Sequence, residues 1–418
     1  MKRSAGSVFY GWVVVACAFA LMFTGFGATY SFAAFFSAFQ SEFGGSRAHV
    51  SAVFSIGAFV YFLLGAPGGM LADRHGPRAV CLTGILFLAT GVAAASLADS
   101  LWMLYATYSL AIGVGVGLTY VPSVGAVQPW FIKQRAFASG LAVSGIGAGN
   151  FLVPLIALWW IGLFGWRGAY LALAALVLVI GGVAGWLIDN DPRRHGVGAD
   201  GTAVAAAGAA AANGTVRARP PGATLREAFG STRFWWMYAS LSVSGIACFV
   251  PMVHMTPYAR DAGMSEAAAV SLVSLIGLGS LAGRFAIGWF ADRMGRMASA
   301  AAMYAGMGVF LIAWWASTGG WALALVAVGY GVCYGGFVAV QPPIVMDLFG
   351  ARNVSGIIGS LYTGVGFGTL LGPTLAGAAF DRSGSYDVPI LASALACFAA
   401  TACVLALKRS LRTLRTTG

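Results

Sequence analysis

The sequence predicts an all-α membrane protein with twelve transmembrane helices in two pseudo-symmetric six-helix bundles. Three observations carry this expectation. The 418 residues are 59% hydrophobic and only 9% charged, with a mean hydropathy of +0.83, whereas soluble domains run near 25% charged. Apolar runs of about twenty residues recur along the chain, each able to cross a hydrocarbon core roughly 30 Å thick. Segments of the first half also return at corresponding places in the second.

Spans are expected at 10–37, 49–71, 79–97, 101–128, 137–160, 166–188, 234–258, 266–290, 298–317, 321–345, 354–379 and 387–407. These runs are too long and smooth for strands, which in a barrel would be about ten residues of alternating polarity. The 59 glycines suit close packing of helices in lipid. The opening MKRSAGSVFY precedes some 27 mostly apolar residues without a small-residue cleavage pattern, so a retained first helix is expected. Segment 189–231, with DNDPRRHG, AVAAAGAAAANG and RARPP, has the composition of a flexible linker between bundles 1–188 and 232–418. Its Asn213-Gly214-Thr215 matches a glycosylation pattern, but on a loop expected to be cytoplasmic.

The formal net charge of +11 does not form a nucleic-acid patch, because the basic residues are scattered between the apolar runs. With both termini inside, 19 of the 24 Lys and Arg fall in inner segments. Four, Arg47, Arg167, Arg260 and Arg382, fall in outer loops. The positive-inside bias therefore places both termini and the linker in the cytoplasm. The six cysteines all lie in apolar runs without CxxC spacing and read as small packing residues.

The repeats are specific. GMLADRHGPR (69–78) follows span 2 and GWFADRMGRM (288–297) follows span 8; VQPWF (127–131) and VQPPI (340–344) end spans 4 and 10. GLAVSGIGAG (140–149) has a counterpart in GVGFGTLLGP (364–373). A duplicated six-helix unit places a binding site at the interface of its copies, near the midplane.

All thirteen acidic residues lie in loops or at helix ends, which leaves Arg284 as the only formally charged side chain deep in a span. It precedes Asp292 by eight residues, roughly 12 Å along a helix. A lone cation at that depth costs several kcal/mol unless it faces water or an anion. The planar guanidinium suits a carboxylate; the structural alternative is an arginine satisfied by backbone carbonyls. His254, six residues before Arg260, has two readings: a substrate or proton contact, or a hydrogen-bonded packing histidine. Tyr120 and Tyr334 stand at corresponding depths in spans 4 and 10 and either offer hydroxyls to a carboxylate or pack as aromatics. No span holds paired carboxylates, a metal-ligand cluster or a nucleophile–base pair, so no enzyme, metal or cofactor is expected.

The doubled GxLADRxGxR motif resembles the loop signature of the major facilitator superfamily. Asp73, Arg74 and Arg78, with Asp292, Arg293 and Arg296, are the gating groups that resemblance implies, as charge-assisted contacts at cytoplasmic helix ends. WFIKQRAFASGLAVSG (130–145) and the stretch from Pro251 to Arg293 resemble the monocarboxylate transporters and their oxalate/formate-exchanger relatives. Arg284 then stands at the family's substrate-binding arginine. Ser280 stands where proton-linked animal members carry an acid, and Tyr362 where oxalate exchangers carry a lysine.

The expected protein is an inner-membrane secondary transporter of small monocarboxylates such as lactate, pyruvate or related 2-oxo and 2-hydroxy acids. Protons are the implied coupling ion, and the carrier is expected to work as a monomer in the bilayer. Alternatives are an exchanger of organic anions or dicarboxylates, an exporter of amphipathic anions, and a membrane sensor or scaffold.

Overall fold

The computed structural model describes residues 9–201, 222–317, 319–350 and 352–416, and omits the side chains of a few others, Asp292 among them. Ten segments are long and apolar enough to cross a membrane. One of these, Phe137–Leu187, turns at Gly165 (φ +68°) and so supplies two rods. The glycine-rich helix Val354–Ser383 completes twelve. In chain order they are α1 (Tyr10–Phe43), α2 (Arg47–His75), α3 (Pro77–Ala95), α4 (Leu101–Trp130), α5 (135–164) and α6 (166–187). The second six are α7 (Thr232–Asp261), α8 (Glu266–Met294), α9 (Arg296–Trp315), α10 (Gly320–Phe349), α11 (Val354–Ser383) and α12 (Asp387–Thr416). No strand longer than an isolated bridge, Gly222 with Gly350, occurs among the described residues.

The duplication is visible in the backbone. Gly44 and Gly263, Gly76 and Gly295, and Gly165 and Gly384 all adopt positive φ, and each pair is separated by the same 219 residues. Such turns strain any residue with a Cβ. Ser46 and Ser265 share the offset and cap α2 and α8 by accepting the amides of His49 and Ala268. The first helix of each half is interrupted at an equivalent level. α1 breaks at Ser31, between Tyr10–Tyr30 and Phe32–Phe43. α7 breaks at Phe249, just before Pro251, which has no amide hydrogen to donate.

Small residues bring the helices together where the site forms. A methyl group at Gly279 or Gly283 of α8 would collide with the Val328 or Val332 carbonyl of α10, and one at Gly331 or Gly335 with the Ile276 or Ser280 carbonyl of α8. This reciprocal small-xxx-small seam is the membrane substitute for a hydrophobic driving force. Between the halves, a methyl group added at Gly147 of α5 would come within 3.0 Å of the Leu281 backbone, and one at Gly277 of α8 would collide with the backbone of Asn150 and Phe151.

The described ends of the expected linker are fastened to the bundles. Asp200 accepts the amides of Ile132 and Lys133, and His195 stacks on Tyr10 with ring centroids 3.8 Å apart. On the other side Ala223 donates to the Phe349 carbonyl at 2.7 Å, and Thr224 and Glu227 form a capping box for the short helix Leu225–Phe229. Thr224 holds the Glu227 carboxyl below its ordinary range through the backbone bond. Residues 202–221, including Asn213, lie outside the described residues.

Candidate functional site

Arg284 sits one residue beyond Gly283, so the α8–α10 seam sets its position. It is 9% exposed and faces the opposite half, donating from Nη1 to the Val143 carbonyl of α5 at 2.8 Å. Its Nε is buried without a partner, and no carboxylate pairs with it among the described residues. The guanidinium borders a cavity between the halves that is lined mostly by apolar surface.

The cavity gathers Tyr120 from α4, Tyr334 from α10 and Tyr362 from α11 around Arg284. Tyr30 and Tyr61 join them from α1 and α2. The Tyr30 and Tyr334 hydroxyls meet across the halves at 3.1 Å. Tyr30 lies thirteen residues from the α1 end at Phe43, and Arg284 eighteen from the α8 start at Glu266. At 1.5 Å per residue these are roughly 20 and 27 Å from those helix ends, so the tyrosine bridge lies nearer than the arginine to the end that carries the Gly44 and Gly263 turns. The hydroxyls of Tyr61, Tyr120 and Tyr362 have no hydrogen bond to described residues, which leaves three donors for a ligand near one fixed cation. Phe26, Phe62, Phe249, Phe337, Leu241, Ile146, Val338 and Val365 form most of the remaining wall, with Gln341 and Cys248.

His254 is not in this cavity. It is fully buried beside the turns that the charge distribution places outside. Nε2 lies 2.8 Å from the Pro373 carbonyl and so must carry the proton, which makes Nδ1 the acceptor for the Tyr386 hydroxyl at 3.1 Å. Tyr386 in turn accepts from Arg47 Nη1 at 2.7 Å. With Ser51 3.2 Å from Nε2, the ring has no free position for a substrate. Its height along α7 was legible; its rotation, set by packing on α2 and α11, was not.

That histidine belongs to a junction between halves which sequence reasoning missed. Arg47, 8% exposed, pairs with Asp261 at 2.7 Å and lies over the Phe380 ring at 3.8 Å. Ser37 donates to Glu266 at 3.1 Å nearby. Charges at helix ends read as topology signals, so nothing in the composition singled these out.

The motif residues occupy the opposite end. Asp73 and Arg74 are exposed at the end of α2, and the Arg78 guanidinium lies 5.8 Å from the Trp186 ring centroid. Arg296 pairs with Asp347 at 2.5 Å within the second half. Arg293 is exposed and engaged in a contact, while the Asp292 side chain lies outside the described residues. The remaining cavity residues that escaped notice, Tyr30 and Phe249 above all, are 219 residues apart at the two helix breaks. A search for aromatic residues at equivalent repeat positions could have found them. No cluster of potential metal ligands occurs among the described residues.

Comparison with known proteins places this architecture. The family model for the Major Facilitator Superfamily matches residues 17–342 and 247–416. Monocarboxylate transporter 13 of Rattus norvegicus is 30% identical over 90% of this chain and 84% of its own length. Its counterpart from Bos taurus is 28% identical with the same coverage. Monocarboxylate transporter 11 of Homo sapiens is 27% identical over 92% of this chain and 80% of that protein.

Proposed function

Because the chain belongs to the major facilitator superfamily, and within it to the monocarboxylate transporter family, we propose that it carries small monocarboxylates such as lactate, pyruvate and related 2-oxo or 2-hydroxy acids across the membrane by alternating access. It is a multi-pass transporter and not an enzyme. The observation that carries the substrate reading is Arg284, a cation with no carboxylate partner among the described residues, at the edge of a central cavity where three tyrosine hydroxyls have no bond to those residues. A monoanion neutralises that charge; a dianion brings one negative charge too many into a poorly solvated site.

In this reading residues 1–188 and 232–418 rock about the cavity, joined by 189–231, with both termini cytoplasmic in an inner membrane. The Arg47–Asp261 pair and the tyrosine bridge close the outer side. The motif groups from Asp73 to Arg78 and Asp292 to Arg296 form the inner gate. Transport is coupled to protons and the carrier is a monomer. Ser280 leaves no acid one turn before Arg284, so the coupling proton travels by another route than an acid–arginine pair there.

Counterflow in proteoliposomes tests the proposal. Purified protein should exchange labelled lactate or pyruvate, Arg284→Ala should abolish the exchange, and an inward pH gradient should drive accumulation. Counterflow unaffected by Arg284→Ala would refute the site.

A further inference from the structure

The junction around His254 is built from hydrogen bonds whose direction leaves no place for a second proton on the ring. We propose that His254 is the proton-sensitive catch of this junction: a proton on Nδ1 displaces Arg47 from Tyr386 and favours the form that is open at this end, the outer end in the proposed orientation. The inference rests on the alternating-access reading and is independent of which acid is carried.

The direction of each bond follows from what can donate. Arg47 has donors only, so Tyr386 accepts from Nη1 at 2.7 Å. The single phenolic proton then goes to His254 Nδ1 at 3.1 Å, and Nε2 gives its own proton to the Pro373 carbonyl at 2.8 Å. Ser51 spends its proton on the Arg47 carbonyl at 2.5 Å and so meets Nε2, 3.2 Å away, as an acceptor. The chain runs one way, from Arg47 in the first half to Pro373 in the second. It is complete only while the imidazole is neutral.

A proton added at Nδ1 reverses the middle link. Tyr386 must then accept from the imidazolium as well as from Arg47, and its own proton loses its acceptor, since the hydroxyl has no third hydrogen-bond partner among the described residues. Two cations also converge on one oxygen away from water, with His254 0% and Arg47 8% exposed. Asp381 of α11 attracts an imidazolium while Arg47 repels it, but that carboxylate is already shared between the amides of Arg47 and Ala48. Asp261, seven residues beyond His254 on α7, is paired with Arg47. Glu266 of α8 is paired with Arg260 at 2.9 Å, and Asp387 of α12 accepts from Trp315. α1 presents the uncharged Phe36 ring, 6.1 Å from the imidazole.

Departure of Arg47 removes the conflict. Water then reaches Tyr386, whose hydroxyl accepts from Nδ1 and donates to the solvent. Opening and protonation are linked, and each favours the other. The proton enters from the outer solution on opening and returns to it on closure, so it is a gating proton, separate from any that accompanies the cargo.

The experiment is pulsed electron spin resonance on the purified full-length carrier in nanodiscs. Spin labels sit on cysteines placed at the exposed Ser41 and Ala262, with the six native cysteines replaced by alanine. The pH is lowered from about 8 to about 5, a range in which free imidazole titrates and free carboxylates stay largely ionised. With His254 in place the ratio of open to closed form should rise about ten-fold, the factor carried by one hydrogen bond to a charged group. His254→Gln, which keeps a donor and an acceptor but cannot titrate, should hold the closed distance throughout. Tyr386→Phe, which removes the hydroxyl and little volume, should already be shifted towards the open form at the higher pH and lose most of its response to acid. A distance distribution that does not change with pH when His254 is present, or an undiminished acid response in either variant, would overturn the assignment. Counterflow of labelled lactate by the unaltered carrier separates the two readings: it persists if only the catch is wrong and fails if the carrier reading is wrong.

Discussion

Asp381 of the second half caps the first turn of a helix in the first half: its two carboxylate oxygens accept the backbone amides of Arg47 and Ala48 at 2.9 and 3.0 Å. The first amides of a helix have no partner within it and carry partial positive charge, so a carboxylate there is favoured twice. Together with Arg47–Asp261 and the Tyr386–His254 chain, this cap ties α2 to α7 and α11.

Breaking this tie should open the outer side. An N-cap contributes about 0.5–2 kcal/mol, and 1–2 kcal/mol is a factor of roughly 5–30 in a two-state ratio. Asp381→Ala should shift the population towards the outer-open form by that order. Spin-label distances between cysteines placed at the exposed Ser41 and Ala262 would report it; distances identical to wild type would rule out the latch.

Arg284→Ala should abolish carboxylate binding, and Arg284→Lys should weaken it at least ten-fold. An ammonium keeps the charge and loses the planar fork, and each charge-assisted hydrogen bond contributes about 1.5–3 kcal/mol. Thermal stability should survive both changes, since no stranded carboxylate is left behind. Loss of folding in Arg284→Ala would instead make the residue structural.

Charge number should control selectivity. Wild-type protein should prefer a monoanion to oxalate or malonate, and Tyr362→Lys, which places a second cation on the same cavity, should shift the preference towards dicarboxylates. Competition uptake measures both, and a wild type that prefers oxalate would contradict the argument.

Asp73→Asn should slow transport and leave equilibrium binding intact, because Asp73 lies exposed at the end of α2, away from Arg284. Comparing binding in detergent with uptake in vesicles separates the two effects.

Gly283→Ala should lower the unfolding midpoint and substrate affinity together. The added methyl meets the Val332 carbonyl, which cannot step aside as a side chain would. Overpacking of this kind costs about 1–3 kcal/mol. A stable variant that has lost only binding would show that the seam positions Arg284 without supporting the bundle.

The helices were legible in sequence because hydropathy acts over some twenty residues and needs no partner. Arg284 was legible for a related reason: an isolated charge in an apolar run is anomalous wherever the chain folds. Tyr120, Tyr334 and Tyr362 followed from depth and resemblance. What stayed hidden depends on contacts between distant segments. Arg47 and Asp381 are 334 residues apart and each alone reads as an ordinary loop charge. His254 shows the remaining limit, since depth along a helix can be counted while rotation about its axis depends on neighbours.

The Arg284–Val143 bond has a thermodynamic corollary. One hydrogen of Nη1 is engaged by the opposite half, while Nε has no partner. With five donors on the guanidinium, a carboxylate can dock at the Nε–Nη2 edge while the carbonyl stays in place. Cargo and α5 then share one cation, and linkage makes the effect reciprocal: whatever the anion does to the attachment of α5 to α8, that attachment does to the affinity for the anion.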